Sequence, residues 1–158
     1  MKDISKILKK LNYGIYVVTM GDGTGGNAFT ASWVMQVSSE PPMIAVSVHN
    51  KHQSSRLLQS TGAFVVNLIG VGQDDVVKAY FGPAESGYDK LKNSSVIDSP
   101  ATKTPLIPGA IGYLDCEIVS NTQAGNHTIF IGEVKASELD DKKTDLLTTS
   151  NSKLHYIG

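Results

Sequence analysis

The stretch Asn27–Ser55, NAFTASWVMQVSSEPPMIAVSVHNKHQSS, decides how the rest of the chain is read. Phe29–Val37 and Met43–Val48 are apolar, β-branched runs of strand length, separated by the Ser-Ser-Glu-Pro-Pro corner that ends at Pro42. A plain core strand favours bulk, yet Thr30, Ala31 and Ser32 place small and hydroxyl-bearing side chains inside the first run. Such a strand lets a flat ligand approach its backbone. After the second run, His49-Asn50-Lys51-His52-Gln53-Ser54-Ser55-Arg56 joins two cations to hydroxyls where a helix is expected to open. A helix start exposes unsatisfied amide N–H groups and carries partial positive charge, so it suits a phosphate. The plainer alternative is that Ser54 only caps the helix while the cations face solvent.

Working outward, Ile4, Ile7, Leu8 and Leu11 recur at helical spacing behind Asp3 as a cap, with the lysines at 6, 9 and 10 on a solvated face. Gly14–Met20 reads as a strand and GDGTGG (21–26) as a hairpin loop. That loop has the glycines of a phosphate loop without its Gly-Lys-Ser/Thr, and a strand rather than a helix follows. Ser54–Ser60 predicts a short helix ended by Gly62, Ala63–Ile69 a buried strand, and Gln73–Tyr80 another helix. Residues 81–110 are rich in turns, a length that suggests a functional excursion or a dimer-facing segment. Gly112–Ser120 and Thr128–Ala136 pair across the loop 121–127, and a polar tail closes the chain. With no regular βαβ alternation, a Rossmann sheet does not fit, and a small, mainly antiparallel β-barrel with short helices does.

At 158 residues, with 41% hydrophobic and 18% charged positions, the composition is that of one ordinary globular domain spanning 1–158. Lys and Arg number 14 against 15 Asp and Glu, a net charge of −1, which calls for neither nucleic acid nor an anionic membrane. No apolar run approaches the roughly 20 residues that span a bilayer. MKDISKILKK lacks the apolar core of a secretory signal, and a lone cysteine, Cys116, forms no internal disulfide. A cytoplasmic protein is expected.

Other chemistries find little footing. His49 and His52 stand three apart without HExxH or C-x-x-C, so zinc is not expected. No G-x-S-x-G elbow occurs, and Cys116 lies on the apolar side of its strand as a buried structural thiol. Asp115 and Glu117, on the opposite side, read as a solvated or paired rim rather than an acid–base dyad.

The T-A-S strand, the V-S-S-E-P-P corner and the Ser-rich helix start together resemble the flavin reductase-like, FMN-binding split-barrel family. The likeness continues in order along the chain. Phe64-Val65-Val66-Asn67-Leu68 resembles its F-x-V-N-L strand, and Tyr80-Phe81-Gly82 with Tyr88-Asp89-Lys90 its next segment. Pro105-Leu106 through Asp115-Cys116-Glu117 resembles its P-L…L-E-C strand. Gly125-Asn126-His127 through Gly132-Glu133-Val134 resembles its G-D-H hairpin, and Leu154-His155-Tyr156 its closing L-x-Y.

The resemblance implies an antiparallel split β-barrel with FMN at a homodimer interface. Thr30, Ala31, Ser32 and Trp33, with Asn27 before them, would line the isoalloxazine; Ser47 and Val48 would follow the ribityl chain; Asn50, Lys51 and Ser54 would hold the phosphate. Trp33 stands where many relatives carry a smaller residue, and either stacks near the flavin or fills the core. His127 would approach the nicotinamide, or is a loop histidine without a role. Asn126 replaces the family's usual aspartate and removes a carboxylate partner for a charged imidazole. The implied activity is an NAD(P)H-dependent flavin reductase that passes electrons to free flavin or another acceptor. The alternatives are an FMN electron carrier of flavoredoxin type fed by a redox protein, and a flavin-free binding module.

Overall fold

The computed structural model describes residues 3–22, 25–82, 90–92, 94–142 and 145–154. Tyr88, Asp89, His155 and Tyr156, which entered the family likeness, lie outside the described residues.

Helix α1 (Ile4–Leu8) opens on Asp3, whose carboxylate accepts from the Ser5 N–H. Strands β1 (Tyr16–Asp22) and β2 (Gly25–Ala31) form the first hairpin, and the strands reach further into GDGTGG than a flexible hexapeptide would allow. The run 29–37 is not one strand. β2 stops at Ala31 and β3 (Val34–Ser39) starts after Ser32 and Trp33. β4 (Pro42–His49) follows the proline corner, where the Glu40–Pro41 bond is cis. α2 (Gln53–Thr61) closes on Gly62, which takes the left-handed conformation (φ 71°) that lacks a steric cost only for glycine. β5 (Ala63–Leu68), α3 (Asp74–Lys78), the two-residue strands β6 (Ile97–Asp98) and β7 (Pro105–Leu106), and the long pair β8 (Gly112–Ala124) and β9 (His127–Leu139) complete the order. The loop expected at 121–127 shrinks to Gly125 and Asn126, with Gly125 at φ 60°.

The main sheet has seven strands in the order β2-β1-β5-β8-β9-β4-β3, antiparallel throughout. Its two outermost strands, β2 and β3, are neighbours in the chain. Only Ser32 and Trp33 join them, so Ala31 and Val34 can lie at most about 11 Å apart. A sheet whose edges are tied that closely must curl. Register shifts at Asp115/Cys116 and Ile118/Ser120 let the longest strands bend with it. The curl encloses a core of Val18, Met20, Val46, Phe64, Cys116 and Phe130, with Leu58 of α2 as its plug. The result is an antiparallel split barrel whose seam runs between β2 and β3.

Packing inside the barrel is close. A Cβ built on Gly132 of β9 would stand 2.7 Å from Phe64 Cε1 and Cζ and 2.8 Å from Cys116 Cβ. Gly132→Ala is therefore expected to destabilise the fold by about 1–3 kcal/mol, the usual cost of an extra methyl in a filled core. Chemical denaturation measures it, and an unchanged midpoint would show that Phe64 swings aside freely.

One expectation about β8 is corrected. Asp115 is not on a solvated rim; it is fully buried and accepts from the Ala101 N–H (2.9 Å), the Thr102 N–H (3.2 Å) and the Thr102 hydroxyl. The residue before a bulge is turned inward, and the turn-rich segment supplies its partners. Glu117 does pair at the surface, 3.9 Å from Lys135 Nζ. The Cys116 thiol is buried and its pKa is pushed up to about 12, by desolvation first and by Asp115 second, so it stays protonated and inert.

Candidate functional site

Two ends of one edge define the site. At the first, Asn27 of β2 is buried and its Nδ2 donates to Ser54 Oγ at 3.4 Å. Ser54 and Ser55 sit in the first turn of α2, each 3% exposed. His52, at the capping position, makes no side-chain capping bond, so the opening of α2 keeps its amide dipoles without that partner. Asn27 Oδ1 is buried and has no hydrogen-bond partner among the described residues. An orphaned acceptor in that position costs about 1–3 kcal/mol unless something donates to it. Beside it, the helix start favours an anion. A ligand that satisfies both must carry a hydroxyl or N–H donor next to an anionic group.

At the second end, the β8–β9 turn sets Asn126 and His127 against the end of β4. His49 and His127 are register partners on neighbouring strands, with ring centroids 5.0 Å apart. Trp33, in the β2–β3 link, lies 4.9 Å from His127 at a tilt of 50°, and His52 stacks on His49 at 5.3 Å. Asn50 is fastened to the β8–β9 turn. Its N–H donates to the Asn126 carbonyl at 3.0 Å, and its Oδ1 accepts from the Thr128 hydroxyl at 2.7 Å.

Electrostatics at this end disfavour protonated imidazole. His127 has a lowered pKa, chiefly from desolvation and then from His49 and His52. Desolvation lowers His52 as well, followed by repulsion from His49 and Lys90. Lys90 is itself lowered by burial while its ammonium donates to the carbonyls of Tyr80 and Gly82. Among the described residues no group of three or more His, Cys, Asp or Glu side chains is placed to hold a metal ion.

The remaining expected residues divide by side-chain direction. Trp33 is 39% exposed and available to a ligand, so it is not a core filler. Thr30 donates its hydroxyl to Val77 O at 2.7 Å and its N–H to Tyr80 O at 3.3 Å. Ala31 and Val48 turn into the barrel core and offer a ligand only backbone. Ser32 is buried, and Ser47, half-buried, donates its N–H to Trp33 O at 3.0 Å. Lys51 is exposed beside the α2 start.

A curled antiparallel sheet, a seam edged by small residues and a helix start without a side-chain cap define the class as an antiparallel split barrel. The flavin reductase like domain matches residues 8–158, and the chain belongs to that family. An NADH-dependent FAD reductase of Streptomyces globisporus is 30% identical over 122 residues, covering 77% of this chain and 66% of that protein. BorF, the flavin reductase component of a bacterial two-component tryptophan halogenase, superposes with a TM-score of 0.78 at 27% identity, covering 92% of this chain and 90% of BorF. Diflavin flavoprotein A 1 of Synechocystis sp. is 26% identical over 136 residues, 84% of this chain. The chain spans about a quarter of the length of the diflavin flavoproteins it matches.

Proposed function

We propose that this chain is an NAD(P)H-dependent flavin reductase that holds FMN along the β2–β3 seam. The observation that carries the reading is Asn27 Oδ1, a buried acceptor without a partner among the described residues, set beside Ser54 at the start of α2, which has no side-chain cap. A flavin mononucleotide offers what that pair lacks: hydroxyl and ring N–H donors for Asn27 and a phosphate for the helix. Asn50, Lys51 and Ser54 would hold the phosphate. Asn27 and the backbone of Thr30, Ala31 and Ser32 would face the ring and Ser47 and Val48 the ribityl chain, with Trp33 closing the outer side. When bound, the flavin supplies the hydride-accepting chemistry, and the protein's part is to bind, orient and shield. His127 orients the reduced nicotinamide next to the ring. The names of the relatives, an NADH-dependent FAD reductase and a flavin reductase component, support this reading.

The proposal extends to a cytoplasmic homodimer. Trp33, Met35 and Val37 alternate along the β3 edge as exposed apolar side chains, which a second copy would cover. No described helix is long and apolar enough to cross a membrane.

The test is anaerobic. Protein loaded with FMN is mixed with NADH, then NADPH, and the flavin absorbance is followed. Bleaching by either is the expected result. Absence of bleaching together with ready reduction by a ferredoxin or rubredoxin would replace the reductase reading with that of an electron carrier, and protein that takes up no FMN would leave a binding module. His127→Ala is expected to slow nicotinamide-dependent bleaching about tenfold, the worth of one hydrogen bond, with FMN still bound. Equal rates would remove His127 from the reaction.

A further inference from the structure

We propose that His49 is a positioning residue for His127. Acting through the Asn126 amide, it holds the His127 ring in the neutral tautomer protonated on Nε2. The inference deepens the reading of His127 as the residue that meets the nicotinamide, and rests on it for its functional consequence.

The argument is one of hydrogen-bond polarity. The Lys51 backbone N–H donates to His49 Nδ1 at 3.1 Å. A ring nitrogen that accepts carries no proton, so neutral His49 carries its proton on Nε2. His49 Nε2 lies 3.4 Å from one atom of the Asn126 side-chain amide, placed as Nδ2. His127 Nδ1 lies 2.7 Å from the other, placed as Oδ1. The two amide atoms are nearly the same in shape, and only their hydrogen bonds assign them. With Nδ2 towards His49, an N–H would face an N–H and neither could accept. Turning the amide over removes the conflict. The chain then runs from Lys51 N–H to His49 Nδ1, from His49 Nε2–H to Asn126 Oδ1, and from Asn126 Nδ2–H to His127 Nδ1.

His127 Nδ1 is thereby an acceptor, and its proton resides on Nε2, facing away from the relay. The parts are held by backbone. His49 and His127 are paired in register across β4 and β9, and the Asn126 carbonyl accepts from the Asn50 N–H. The titratable groups that act on His127 are His49 of β4 and His52 ahead of α2, both cationic when protonated, while Lys90 acts on His52. Trp33 adds an uncharged wall. The surroundings therefore select neutral imidazole, and the relay selects which nitrogen keeps the proton. A neutral Nε2–H donor suits a carboxamide oxygen such as that of nicotinamide. An aspartate at position 126 can only accept, and would hold the opposite tautomer.

Nuclear magnetic resonance of the full chain carrying isotope-labelled histidine reads the tautomer from the two ring-nitrogen shifts, above the titration range of His127. The expected wild-type spectrum shows Nδ1 of His127 bare and Nε2 protonated. Asn126→Asp is expected to move the proton to Nδ1 and to raise the titration midpoint. His49→Phe, which keeps a ring but has no N–H, is expected to give a mixture of tautomers. His49→Gln, whose amide can accept from Lys51 and donate to Asn126, is expected to restore the wild-type pattern. A wild-type His127 protonated on Nδ1 overturns the proposal, and so does an unchanged tautomer in folded His49→Phe. Even if the His49 variants fail to fold, a wild-type His127 protonated on Nδ1, or an unchanged tautomer in Asn126→Asp, overturns the proposal. No nicotinamide enters the measurement, so it stands apart from the bleaching test of the reductase reading.

Discussion

Replacing Lys51 and Ser54 together by alanine is expected to weaken FMN binding by about 10²–10⁴-fold. Two charge-assisted contacts to a phosphate contribute about 1.5–3 kcal/mol each, and about 1.4 kcal/mol is a factor of ten. Lys51 is exposed, so its share is screened and lies towards the lower end. Ser54 is 3% exposed, in the first turn of a helix whose capping position lends no side-chain bond, so its share lies towards the upper end.

Titration of apoprotein with FMN, followed by flavin fluorescence, gives the affinity. The wild-type constant should also weaken as salt rises, and the double variant should lose most of that dependence. Losing Ser54 removes a 3.4 Å partner of Asn27, so the melting midpoint must be measured alongside. Unchanged FMN affinity in folded double variant would refute the phosphate assignment and return Ser54 to the role of a plain helix-start residue.

What the sequence made legible, and what it hid, follows from the range of the forces involved. Strand identity came from local apolar runs, and β4, α2 and β5 lie within a residue or two of expectation. The break between β2 and β3 did not. Ser32 and Trp33 interrupt no apolar pattern, and only the tie between the two edges of the sheet requires a strand end there. The length of β8 and β9 was also hidden, because their outer halves are exposed and polar, and pairing alone keeps them extended.

The candidate site shows the same division. The helix start and the small residues before it announced themselves by composition, and the family likeness drew His127 in. Local spacing offers His49 as a zinc candidate and as the first residue of the helix-start segment, and nothing in it says that His49 faces His127, 78 residues away in sequence, across a strand register. Thr30 adds a contact that no local pattern announces: its hydroxyl donates to Val77 O of α3.

Asp115→Ala is expected to be the costliest single change in stability, on the order of 4 kcal/mol, because it removes a buried carboxylate that is the common acceptor of three donors in the 101–102 turn. For a chain of this length that corresponds to a fall in melting midpoint of roughly 10 °C. The segment it holds is otherwise poor in regular structure: β6 and β7 are two residues each. Buried polar groups of the barrel do the holding. Thr19 of β1 donates to Pro105 O, Asn67 of β5 accepts from the Ile107 N–H at 3.1 Å, and Asp115 of β8 takes the turn at 101–102. Apolar burial cannot substitute for these contacts, since Ser99 and Thr104 are themselves fully buried and polar. Urea denaturation of wild type, Asp115→Ala and Asp115→Asn separates the contributions. The asparagine keeps one acceptor but presents an NH₂ to other donors, and should fall between the two. A loss below about 1 kcal/mol in the alanine variant would mean that water replaces the carboxylate at no great cost. Well below its melting point, Asp115→Ala should still bind FMN at nearly wild-type affinity, because the carboxylate serves the 101–102 turn and touches neither α2 nor the β2–β3 seam.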